Sequence, residues 1–125
     1  LDFQDFEAEL EFLPGAYAEP DGIVLLATEV DVTAGIVALR TWEPGIAEMK
    51  RLFVVEKFRN QDLGRALAGA SIKTAKARAF KSIRLDTVAE MTSAITLYTS
   101  LGFQSIAPYC FNPLPTARYF ELVLK

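Results

Sequence analysis

At 125 residues, with 51% apolar and 23% charged side chains, the chain has the make-up of one globular domain around one core. A net charge of −3, with the 13 basic residues scattered along the sequence, excludes an electrostatic nucleic-acid footprint, and no apolar run nears the roughly 18 residues of a membrane span. The lack of histidine removes Ser-His-Asp and Cys-His machinery and any His-ligated metal, and a single cysteine, Cys110, removes intramolecular disulfides and cysteine-rich zinc sites.

In chain order, Asp2 to Leu13 reads as a short amphipathic helix, with Phe6, Leu10 and Leu13 at helical spacing and Pro14-Gly15 as its stop. Gly22 to Val30 and Gly35 to Trp42, rich in Val, Ile and Leu, read as a hairpin with its turn around Asp31 and Thr33. Glu43-Pro44-Gly45 makes a further turn into an extended segment from Ala47 to Val55. Lys50-Arg51 interrupts its alternation, which predicts a bulge or a strand open on both faces.

After Phe58 the period changes. Leu63, Ala66, Leu67, Ala70, Thr74 and Ala77 share one helical stripe, which predicts a long helix. Ile83 to Val88 is strand-like, and Ala94, Leu97, Tyr98 and Leu101 repeat the helical spacing until Gly102. A strand near Phe103 to Ala107, a Pro-rich turn through Asn112-Pro113-Leu114-Pro115, and a last strand from Arg118 to Leu124 complete the chain. The fold class is α/β, a mixed and mostly antiparallel sheet flanked by helices. Cys110 reads as a small buried apolar residue rather than a nucleophile, and one cysteine suits a reducing cytoplasm.

The chemistry is concentrated where a strand turns through Arg59, Asn60, Gln61 and Asp62 into Leu63, Gly64 and Arg65. The first N–H groups of a helix have no internal partner and carry the positive end of the dipole, so an anion fits there. Gly64 lets the backbone come close, and Arg59 and Arg65 flank the loop as phosphate partners or as ordinary exposed arginines.

Arg59-x-x-Asp62-x-Gly64 resembles the Q/R-x-x-G-x-G/A acetyl-CoA signature of the GNAT superfamily of N-acetyltransferases. Ala94-x-x-Leu97-Tyr98-x-x-x-Gly102-Phe103 resembles the family's A-x-x-L-Y-x-x-x-G-F motif, and Glu48-Met49-Lys50-Arg51-Leu52-Phe53-Val54 is similar to the E-x-K-R-x-Y/F-V segment of a GNAT subgroup. The likeness spans roughly residues 22 to 125 as a single domain. It departs twice: Asp62 stands where the signature has glycine, with an N-cap as its plain reading, and the family's first strand and helix are expected to be missing or shortened.

The resemblance implies acetyl transfer from acetyl-CoA, as co-substrate and without a metal, directly to a primary amine of a small molecule or peptide. Leu52, Phe53 and Val54 would then offer backbone groups to the pantetheine and acetyl parts, and residues 59 to 65 would hold the pyrophosphate. Tyr98 is the candidate acid for the departing thiolate, against a core tyrosine with its hydroxyl at the edge. Glu48 is the candidate base, against an exposed strand residue paired with Lys50 or an arginine. Asp86-Thr87, Tyr109 and Asn112 fall where GNAT enzymes form the acceptor pocket. The alternative function is a non-catalytic acyl-CoA-binding or regulatory module, and a third is transfer of a longer acyl group. A cytoplasmic chain is expected, with no nucleic-acid or membrane partner and with a homodimer through exposed C-terminal strands.

Overall fold

The computed structural model describes residues 22–29, 32–59 and 62–125, so the helix expected at Asp2 to Leu13 and the loop residues Asn60 and Gln61 lie outside the described residues. Six described strands form one mixed sheet: β1 (Gly22–Glu29), β2 (Val32–Glu43), β3 (Ile46–Val54), β4 (Ser82–Val88), β5 (Gln104–Ser105) and β6 (Ala117–Val123), in the order β1-β2-β3-β4-β6-β5. Helix α1 (Leu63–Ala77) makes the crossover that lets β3 and β4 run parallel, and α2 (Thr92–Ser100) follows β4. No described helix is long and apolar enough to cross a membrane.

Alternation assigns the two faces of the sheet. Leu39, Met49, Ala47, Ile83, Leu85 and Phe120 point to one side and join Leu67, Ala68 and Ala75 of α1 and Tyr98 of α2 in a single core. The other side carries a row of opposite charges across four strands: Arg40 pairs with Glu48, Glu48 with Arg84, and Arg84 with Glu121. Cross-strand neighbours of opposite sign are the favourable arrangement in a sheet.

Several expectations needed adjustment. Thr33 belongs to β2 and not to the turn, because β2 already starts at Val32. The stripe expected on α1 is turned by about a residue: Leu67, Ala68, Ser71 and Ala75 are buried, while Ala66, Ala70 and Ala77 are exposed. Alanine carries too little apolar surface to orient a helix, and the small face of Ala68, Ser71 and Ala75 lies close against the sheet. Ser71 is tolerated there because its hydroxyl donates to the Ala68 carbonyl at 2.7 Å. The strand expected over Phe103 to Ala107 shrinks to Gln104–Ser105, since the chain leaves the sheet to carry Tyr109 across its polar face.

The bulge expected at Lys50-Arg51 is present. Ala38 pairs with Lys50 and Ile36 with Phe53, so β3 uses three steps where β2 uses two. Beside this bulge sits Gly35, where a Cβ would fall 2.8 Å from Leu67 Cδ1 and 2.9 Å from the Phe53 carbonyl oxygen. Only glycine lets β2, the bulged end of β3 and α1 come this close.

Candidate active site

The parallel ladder between β3 and β4 is short. Its backbone partners are Ile46 with Ser82, Ala47 with Ile83 and Glu48 with Arg84, and pairing then stops although both strands continue, β3 to Val54 and β4 to Val88. Beyond Glu48, where β3 carries its bulge against β2, the two strands no longer pair, which opens the sheet between them into a cleft. Leu52, Phe53 and Val54 lie on its β3 side, all partly open.

The N-terminus of α1 stands beyond the end of β3. Asp62 occupies the N-cap position with φ 58° and ψ 21°, a left-handed conformation, and its side chain makes no cap hydrogen bond. The left-handed backbone explains why glycine suits this place in the signature and why aspartate, which tolerates that region better than most residues, stands in for it. The carboxylate therefore leaves the first helical N–H groups unclaimed, against the N-cap reading. An added Cβ at Gly64 would meet only Leu97 Cδ2, at 3.6 Å, so the packing of the described chain does not itself demand glycine there.

The two arginines of the loop are engaged within the chain. Arg59 Nε donates to the Val54 carbonyl at 3.0 Å with its guanidinium over the Phe53 ring, and Arg65 Nη2 donates to Ser100 Oγ at 2.8 Å, tying α1 to α2. Both are exposed and keep further N–H donors.

On the polar face the residues singled out from the sequence converge. Glu48 is fully buried, accepting from Arg40 Nε at 2.8 Å and from the Tyr109 hydroxyl at 2.7 Å, with Lys50 Nζ at 3.6 Å. Asp86 accepts from Lys50 Nζ at 2.8 Å and from Asn112 Nδ2 at 3.0 Å. Glu48 is thus an interior charge in a network and not an exposed strand residue. Thr87 follows Asp86 on β4 and is half-buried.

Four partners were not visible in the sequence. Arg40 comes from β2 through register alone, and Trp42 and Tyr119 pack edge-on against the Tyr109 ring at 5.2 and 5.8 Å. Arg84 stacks on the same ring at 5.5 Å. These contacts hold the Tyr109 hydroxyl on Glu48.

Burial and the hydrogen bond to Glu48 push the Tyr109 hydroxyl far above its ordinary range. For Lys50, burial pulls downward, but the Asp86 hydrogen bond and the charges of Glu48 and Asp86 outweigh it, and the ammonium stays above its usual value. Burial, followed by the Asp86 and Glu48 charges, pushes the Cys110 thiol up, which suits an inert thiol. Donor atoms of Glu48, Asp86 and Cys110 lie within 4.8 Å of one another, yet every carboxylate oxygen is already bonded to a donor and Arg40 and Lys50 balance the charge. That environment suits a divalent cation poorly.

Tyr98 lies on the opposite face. It is 7% exposed, packed against Phe103 and Phe120, and Phe120 is paired with Leu85, the first β4 residue past the parallel ladder. Burial pushes its hydroxyl up to about 12, so it keeps its proton at neutral pH.

Comparison with known proteins agrees with this geometry. Residues 2–103 match the family model described as acetyltransferase (GNAT) family. An uncharacterized N-acetyltransferase of Schizosaccharomyces pombe is 37% identical over 127 residues, covering 100% of this chain and 78% of that protein. A GNAT-family acetyltransferase of Staphylococcus aureus superposes with a TM-score of 0.81 at 27% identity, covering 100% of this chain and 81% of that one. A Bacillus subtilis acetyltransferase, solved in complex with CoA, superposes with a TM-score of 0.75 at 20% identity, covering 95% and 84%.

Proposed function

The chain belongs to the acetyltransferase (GNAT) family, and from that premise we propose that it transfers an acetyl group from acetyl-CoA directly to a primary amine. The observation that carries the reading is the end of the β3–β4 ladder at Glu48 and Arg84, with helical N–H groups beyond the far end of β3 that Asp62 does not cap. A cleft for a thioester and a cradle for its pyrophosphate then lie along one line. The CoA bound to the Bacillus subtilis relative supports the same co-substrate here.

When bound, acetyl-CoA supplies an acyl group already activated toward nitrogen. The chain then has to position, to deprotonate and to protonate. Leu63, Gly64 and Arg65 present N–H groups to the phosphates, and the Leu52 to Val54 backbone lines the arm. Glu48 accepts the proton lost by the amine, directly or through water, while Arg40 and Tyr109 fix its carboxylate. Tyr98, still protonated at neutral pH, donates to the departing sulfur from the other face of the sheet.

A non-catalytic acyl-CoA module would share the cradle but not need the Glu48 network. Calorimetric titration with acetyl-CoA and with CoA, followed by thiol release in the presence of amines, separates the two. Binding with amine-dependent thiol release is the expected result. Binding without release from any amine would favour the non-catalytic module, and no binding to folded protein would remove the reading altogether. The single cysteine agrees with a cytoplasmic setting, and sedimentation would test the homodimer.

A further inference from the structure

Lys50 and Asp86 occupy the rung that would follow Glu48 and Arg84 if the parallel ladder continued, two residues on along each strand. The backbones have separated there, and the ion pair at 2.8 Å is a side-chain strap across the mouth of the cleft on its polar face. The Lys50 and Asp86 side chains are 32% and 12% exposed, so the pair is reachable from solvent yet dry enough for an unmatched charge to be costly.

Among the described residues the charge count at this strap is closed. Arg40 and Lys50 balance Glu48 and Asp86, and Tyr109 and Asn112 fill the remaining carboxylate positions. A plain cationic amine that displaced Lys50 from Asp86 would add a positive charge to a neutral group. An anion would do the reverse. A molecule bearing both charges a few ångströms apart exchanges one ion pair for two and leaves the balance unchanged.

Resting on the acetyltransferase reading above, we propose that the acceptor is a zwitterion of the α-amino acid type, which binds by opening the Lys50–Asp86 strap. Its ammonium replaces Lys50 on Asp86, and its carboxylate takes the released Lys50. The Lys50 ammonium marks the amine position, 2.8 Å from Asp86 Oδ1 and 3.6 Å from Glu48 Oε2. Glu48 is then the neighbouring carboxylate that receives one amine proton. The nitrogen forms its bond to the acyl carbon, the carbon–sulfur bond breaks, and the sulfur leaves with a proton from Tyr98, which the second amine proton, passed through solvent, replaces. Asn112 and Tyr109 keep Asp86 and Glu48 in place while Lys50 moves, which makes them positioning residues.

The test is thiol release from acetyl-CoA by the full chain with matched acceptors: free amino acids, their amides, the corresponding decarboxylated amines, and dipeptides. Free amino acids should exceed their amides in kcat/KM by about tenfold or more, as for a site whose buried polar group is left unpaired by the analogue. Lys50→Met should collapse that ratio toward one, and Lys50→Arg, which keeps the cation, should retain it. Asp86→Asn should raise KM for every acceptor. Amines turned over with no preference for the carboxylate, or a preference that survives Lys50→Met, would overturn the zwitterion alone; thiol release from no amine at all would remove the acetyltransferase reading beneath it.

Discussion

Glu48 and Arg84 form the last backbone-paired couple between β3 and β4, and the side chains of Glu48 and Tyr98 lie on opposite faces of the sheet. Under the mechanism proposed above the first would act as base and the second as acid, one on each side of the sheet, as direct transfer between amine and thioester needs.

Glu48 should matter to both folding and turnover. Glu48→Ala strands Arg40 and the Tyr109 hydroxyl and leaves Lys50 with Asp86 alone, and a loss of about 3 kcal/mol is expected in denaturant unfolding. Glu48→Gln keeps the shape and one acceptor oxygen and should cost about half as much. With acetyl-CoA binding preserved by calorimetry, Glu48→Gln should slow turnover by about 100-fold. An unchanged rate would take Glu48 out of the chemistry.

Tyr98→Phe separates the acid role from packing, since the ring against Phe103 and Phe120 is kept. The expected result is turnover slower by about 10- to 100-fold with unaltered CoA affinity. The same variant has a stability signature. An unfolded tyrosine loses its proton near pH 10, whereas Tyr98 holds its own to about 12, so between these values the folded state binds the extra proton. Stability is intact below pH 10 and falls as pH rises toward 12, by about 1.4 kcal/mol per unit from this group. Tyr98→Phe should make that alkaline decline shallower, leaving the part due to Tyr109.

Asp62 can be tested by separating conformation from charge. Asp62→Asn removes the carboxylate while keeping a side chain that accepts φ 58°, and Asp62→Gly removes both charge and strain. Both should bind CoA tighter, by about 2- to 5-fold, the scale of one charge at a helix N-terminus. Weaker binding in both would mean that the carboxylate assists the site. Ala79, at φ 64° just past the C-terminal end of α1, serves as a control at the opposite end of the helix. Ala79→Gly should stabilise by about 0.5–1 kcal/mol without changing CoA affinity.

Gly35→Ala pushes a methyl group onto Leu67 and the Phe53 carbonyl. Because backbone cannot swing away as a side chain tip does, a loss of about 1–3 kcal/mol is expected. Displacement of Phe53 should also weaken CoA binding. A variant as stable as the parent would show that the bulge can shift at no cost.

The sequence by itself determined the order of the described elements, the switch from an antiparallel meander to a helical crossover, and the motifs around Arg59 to Arg65 and Ala94 to Phe103. These are local signals, carried by periodicity, by turn residues and by a loop before a helix. It also placed the bulge at Lys50-Arg51, because a pair of charges breaks the alternation of a strand.

Only the tertiary structure decided which charges meet. Arg40, Glu48, Arg84 and Glu121 form a row because strand register sets them side by side, and nothing in their local sequence carries register. Tyr109 reaches Glu48 across 61 positions by way of a loop that abandons its strand, and Asp62 gives up the N-cap bond because its backbone is left-handed. The alanines of α1 show the same limit, since a period names a stripe only where the side chains differ enough in apolar area to choose a face.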